Sequence, residues 1–166
     1  MKVKEPVARE VHIRLPRPLP DGVICQFSTE PNLGWTGKNG HVLVGAGATT
    51  LSILTCSGSA LMCGDGSAIL RMPLQLSEDT STFAVPGNVI HVEVPDGASG
   101  LEIFSQNGDF LLVAGFPGRD NDHSRRPPAF LEDALGWFPA GTFELQWYDS
   151  SKQMILAETK LASPAP

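Results

Sequence analysis

At 166 residues the chain is long enough for one sizeable core or two small ones, and 42% hydrophobic against 18% charged residues excludes a disordered polypeptide. Its 17 glycines and 14 prolines follow no period, which excludes collagen-like and low-complexity structure and suits many turns between short strands. The net charge of −6 arises in the second half, where residues 81–166 hold five Lys/Arg against eleven Asp/Glu while residues 1–80 hold seven of each; with Arg125-Arg126 as the one local basic pair, nucleic acid is excluded as an expected partner.

Residues 1–21 read as an extended arm. Glu10 to Leu15 alternates polar and apolar side chains, and Pro16, Pro18 and Pro20 then interrupt any ladder, so the arm is expected at a sheet edge or on a neighbouring molecule. No apolar run follows the charged residues Lys2, Lys4 and Glu5, and no stretch approaches the eighteen apolar residues of a membrane helix. The expectation is synthesis in the cytoplasm without a signal peptide and no membrane partner.

Short strands are expected at Val23–Phe27 and His41–Val44, separated by a polar, Gly-rich loop. From Gly45 to Ala68 the chain is rich in small residues, with strand-like islands at Leu51–Thr55 and Ala60–Met62; small side chains let backbones approach closely, as in a tight sandwich or at an oligomer axis. Residues 68–76 alternate loosely. The polar run from Ser77 to Ser81 is the best candidate boundary, leaving either one sandwich over 22–161 or two modules over 22–78 and 81–161.

In the second half, Asn88–Val94 and Leu101–Ser105 read as strands, and Asn107-Gly108 is the strongest hairpin signal, because a primed turn wants positive φ at both positions. Pro128 to Gly136 is the one helix expected: proline opens it, acids occupy its early turns and glycine ends it. In Thr142–Asp149, Phe143, Leu145 and Trp147 share one face and Glu144, Gln146 and Tyr148 the other; a turn at Ser150-Ser151 leads into a last strand ending near Leu161. This closing hairpin resembles in outline the last strands of many immunoglobulin-like sandwiches. Residues 162–166 read as a flexible tail. The expected fold is all-β, an antiparallel β-sandwich of immunoglobulin-like or jelly-roll type with one short helix near 128–136.

Each candidate for chemistry meets a plainer reading. Gly45–Thr50 follows a strand as a phosphate-cradling loop would, but lacks the Gly-Lys-Ser/Thr ending and precedes a strand rather than a helix. Cys56 and Cys63 are seven apart, off zinc spacing, and the odd count of three cysteines, with Cys25, fits a reducing compartment where thiols pack as small hydrophobes. The four histidines are scattered without a signature, Gly64-Asp65-Gly66-Ser67 lacks the order of a nucleophile elbow, and Asp96, Glu102 and Asp109 read as surface acids. Neither cofactor, metal nor catalytic residue is expected.

Two binding features are singled out. The loop containing Arg119, Asp120, Asp122, His123, Arg125 and Arg126 is the most chemically dense stretch, able to offer oxygens to calcium or guanidinium groups to a carboxylate, against the plainer reading of a self-neutralising connector. Trp35 sits in a loop suited to exposure and is a candidate to stack a sugar ring. From the missing catalytic constellations, the proline-bounded arm, the small-residue stretch and the loose end Ser163–Pro166, the expected function is a non-enzymatic structural protein, such as a virion decoration, capsid-stabilising or tail component. Its expected partners are itself, as a homo-oligomer with a trimer favoured, and a protein scaffold. The alternatives are a carbohydrate- or protein-binding sandwich module, with a glycan as partner, and a hydrolase whose site is assembled from distant residues.

Overall fold

A computed structural model describes residues 9–30, 40–45, 47–57, 66–76, 81–117 and 126–164. Its strands are β1 (Arg9–Arg14), β2 (Val23–Glu30), β3 (His41–Val44), β4 (Thr50–Ser57), β5 (Ser67–Pro73), β6 (Thr82–Ala84), β7 (Asn88–Val89), β8 (Gly100–Ser105), β9 (Phe110–Gly115), β10 (Gly141–Tyr148) and β11 (Met154–Pro164). One short helix, α1 (Ala129–Ala134), lies between β9 and β10. Pro128 precedes its first residue with an extended backbone, as a proline entering a helix should, and Phe130, Leu131 and Ala134 are buried.

The fold is all-β. Eight strands form a curled antiparallel sheet in the order β2-β4-β5-β9-β8-β10-β11-β7, and a second sheet has the order β3-β1-β6. The β5–β9 ladder joins the two halves of the chain within one sheet. One ladder departs from the antiparallel expectation: β1 and β6 run parallel, which the long connection between them permits.

The register explains the core. Phe27, Ile53, Leu70, Leu112, Ile103 and Leu145 stand opposite one another in turn across β2, β4, β5, β9, β8 and β10, and all are at most 2% exposed. A neighbouring row on the same face runs Cys25, Thr55, Ala68, Ala114, Leu101 and Trp147. Its small members leave room for α1: the Thr55 hydroxyl, fully buried, donates to the Phe130 carbonyl at 2.9 Å. The small-residue stretch therefore serves close packing of a helix on a sheet.

Several expectations change. Residues 9–14, expected within an extended arm over 1–21, are the middle strand of the smaller sheet, with Val11 and Ile13 buried beside Val42 and Val44 of β3. The prolines at 16, 18 and 20 follow the end of β1, where they were expected to stop its ladder, and Arg17 ties that segment down by donating to the Gly136 carbonyl at 2.6 Å. Residues 162–164, expected in a flexible tail, belong to β11: Ala162 is buried opposite Gly141, and Ser163 and Pro164 pair with Val89 and Asn88. The strand expected over 88–94 is ladder-paired only at Asn88–Val89, because Asn88 also exchanges backbone hydrogen bonds with Phe138 and Ile90 donates to the Leu135 carbonyl, drawing the chain off β11.

The β8–β9 turn also differs from the primed type. Gly108 alone has positive φ, at 85°, its amide donates to the Ser105 carbonyl, and Ser105 donates to the Asp109 carbonyl; this is a type I turn closed by a glycine bulge. Cys56, read as a buried thiol, is disulfide-bonded, with its partner outside the described residues, whereas Cys25 is a free thiol. Burial, and then the charge of Asp133, push the Cys25 thiol up to about 12, so it stays protonated and unreactive.

Candidate interaction surface

The closing hairpin places two very different strands side by side. β10 and β11 pair antiparallel from Gly141↔Ala162 to Tyr148↔Met154, with a bulge that leaves Ile155 unpaired. Phe143, Leu145 and Trp147 of β10 are buried, as the alternation of the sequence requires. Opposite them, the inward rows end on β11 at Lys160, Glu158 and Leu156, and Leu156 is 41% exposed where its neighbour Trp147 is fully buried. The core stops within one strand spacing.

Met154, Ile155, Leu156 and Leu161 are all exposed, Leu161 to 64%, and they make up four of the six large exposed hydrophobic side chains among the described residues. Among the described residues the sheet continues beyond β11 only through β7, which pairs at Ser163 and Pro164. From Met154 to Ala162 the edge of β11 facing away from β10 has no ladder partner among the described residues.

The connection from β7 to β8 must pass β11 and β10 to reach its place in the sheet. It does so on the inward side, and between it and β11 lies a groove of 570 Å³ lined by residues 91–96 together with Leu156, Glu158 and Lys160. Glu158 is fixed at the mouth of the core because its carboxylate accepts a hydrogen bond from the Trp147 indole at 3.1 Å. The indole nitrogen thus meets its acceptor where the apolar row gives way to solvent.

On the opposite, outer face, the Tyr148 hydroxyl donates to Gln146 at 2.7 Å, and Gln146 in turn donates to Glu144 at 3.3 Å. Desolvation, and then the neighbouring Glu102 carboxylate, hold the Tyr148 hydroxyl above its ordinary pKa. This polar network ends at β11, where Leu161 stands opposite Thr142.

Two other clusters bring polar side chains together. His41 pairs with Glu10 at 3.0 Å and stacks on His12 with ring centroids 4.8 Å apart, but no group of three or more metal-ligating side chains is assembled among the described residues. A second groove, of 580 Å³, runs beside residues 12–19 and is floored by Cys25 and Phe27. Nearby, burial and then the Glu132 charge raise the pKa of Asp133 against the opposing pull of Arg17, and its Oδ2 atom is buried with no hydrogen-bond partner. The Cys25 thiol on the floor of this groove is protonated, and burial shifts Asp133 toward its neutral form.

Of the residues singled out for binding, Trp35, Arg119, Asp120, Asp122, His123 and Arg125 lie outside the described residues. Arg126 is described, and it pairs with Glu132 of α1 at 3.2 Å. Trp137 and Trp147 are at most 2% exposed and present no ring face to a sugar. The exposed apolar side chains of β11 escaped sequence reading because Met154-Ile155-Leu156 has the composition of a core strand. The signal that was available is that β11 is the last strand of a hairpin whose partner alternates cleanly while it does not.

No protein-family model matches the chain, and searches of curated proteins and of solved structures find no match to it.

Proposed function

We propose that this chain is a structural protein that works by self-association and by contact with a protein scaffold, with β11 as its contact strand. A virion decoration, capsid-stabilising or tail component is the setting we infer. The observation that carries the reading is the coincidence of exposed Met154, Ile155, Leu156 and Leu161 on a strand whose outer edge is unpaired from Met154 to Ala162 among the described residues. An edge strand presents a row of backbone donors and acceptors that another chain can complete, and apolar side chains beside that row add burial to the pairing. Proteins that stay apart protect such edges with prolines or clustered charge; β11 carries only Glu158 and Lys160 before Pro164.

The test is the solution mass by light scattering over a wide concentration range. A concentration-dependent rise to a defined oligomer is expected, and introducing Leu161→Lys together with Leu156→Lys should abolish it while leaving the far-ultraviolet circular dichroism unchanged. A monomer at every concentration would overturn self-association.

A further inference from the structure

Resting on that reading, we infer that the free edge of β11 pairs antiparallel with the same edge of a second copy, about a two-fold axis passing through Thr159. The free edge has two boundaries. At one end the bulge at Ile155 breaks the regular ladder geometry; at the other Ser163 is already paired with Val89. Residues 156–162 remain between them, and their midpoint is Thr159.

In an antiparallel pair related by a two-fold axis, each residue faces the one equally far on the other side of the axis. An axis at Thr159 sets Thr159 against its own copy, Glu158 against the second copy's Lys160, Ala157 against its Leu161 and Leu156 against its Ala162. The opposite charges therefore meet twice, once on each side of the axis, and an apolar pair lies next to each. Directly opposed charges of opposite sign favour a cross-strand pairing, and like charges oppose it. The register that uses the whole free edge is thus also the register in which its two charges are complementary.

A shift of the axis by one residue loses this match. Centred on Glu158 it would stack Glu158 on itself, and centred on Lys160 it would stack Lys160 on itself. Glu158 and Lys160 lie half-buried on one face of the strand beside the groove, while Thr159 is exposed on the other. Two-fold edge pairing consumes both edges and closes at a dimer rather than the trimer expected from sequence.

The test uses Thr159→Cys in the full chain under mild oxidation. Residues opposed across the axis have Cβ atoms about 4.5–5.5 Å apart, close enough to form an intermolecular disulfide after a small adjustment. Ala157→Cys is the control, because its copy would lie four residues away along the strand, about 13 Å, beyond disulfide reach. Rapid cross-linking of the first and little of the second is expected.

Lys160→Glu should weaken the dimer about tenfold by setting like charges opposite each other twice, and the exchange Glu158→Lys with Lys160→Glu should recover most of the loss. Near-ultraviolet dichroism checks that the core around Trp147 is intact in the exchanged chain. If light scattering shows oligomers while Thr159→Cys stays uncrosslinked, or while Ala157→Cys links as fast, this pairing is overturned and the assembly reading survives. A trimer overturns the pairing alone, and a strict monomer overturns both.

Discussion

Strands β10 and β11 are joined by one turn and share a ladder from end to end, yet one lies at the centre of the core and the other at its margin. Leu145 is fully buried, whereas Leu156, also inward-facing and only one strand away, is 41% exposed. The chemistry of the side chains is the same. What differs is what stands over them: β10 faces the packed interior of the curled sheet, and β11 faces a 570 Å³ groove under the crossing segment 91–96. Exposed apolar surface on β11 is therefore a consequence of where the core ends.

The largest test of this contrast is the same substitution on both strands. Leu145→Ala should cost about 2–5 kcal/mol, as truncation within a closed core does, and Leu156→Ala below about 1 kcal/mol. Urea denaturation measures both, and equal losses would break the comparison. Leu156→Ala should instead act on the oligomer, raising the concentration at which light scattering detects it.

Next in size is Thr55→Val, in the row that ends at Trp147. Valine keeps the shape and removes the donor to the Phe130 carbonyl, so a loss of about 1 kcal/mol is expected, with the denaturant slope unchanged. A neutral result would mean that α1 is held on the sheet by apolar packing alone.

The two hairpin turns sharpen the contrast further. At Ser105–Asp109 the position with positive φ is Gly108; at Asp149–Gln153 it is Lys152, with φ 62°, in a turn closed by the same pair of backbone hydrogen bonds. The Asp149 carboxylate supports this second turn by accepting from the amides of Ser151 and Gln153. Lys152→Gly relieves the left-handed conformation of a side-chain-bearing residue and should stabilise by about 0.5–1 kcal/mol, whereas Gly108→Ala should destabilise by a similar amount. Thermal melting of both variants checks the pair.

The smallest effect concerns Asp133. Its folded pKa lies above the ordinary 3.8, so its contribution favours folding fully below that value and is lost as pH rises through the raised pKa. Asp133→Asn should therefore stabilise by less than about 1 kcal/mol at pH 7, since the carboxyl is partly solvated, and by less still at pH 4. Melting temperatures of both proteins at the two pH values provide the measurement.

Much of the fold could be read from particular residues. The alternation Phe143, Leu145, Trp147 specified which face of β10 is buried, because strand period and apolar period coincide there. Pro128, the early acids and Gly136 marked α1, because backbone capping rules act locally. Less could be read at β1: Val11 and Ile13 alternate correctly, but the ladder partners of this strand, β3 and β6, come from segments far along the chain, so a central strand looked like a detached arm. Of the candidate site, Arg126 was read as available to a partner, and only folding brings Glu132 to it.

By itself the sequence determined the class: alternating apolar residues, punctuating glycine and proline, and one capped helix are local signals, and local sterics and hydrogen bonding enforce them wherever the segment lies. Strand order, the parallel β1–β6 pairing and the bare edge of β11 were decided only by tertiary structure. Each depends on which distant segment covers a given face. That choice is a competition for burial among all the strands at once, and no single stretch of residues records its outcome.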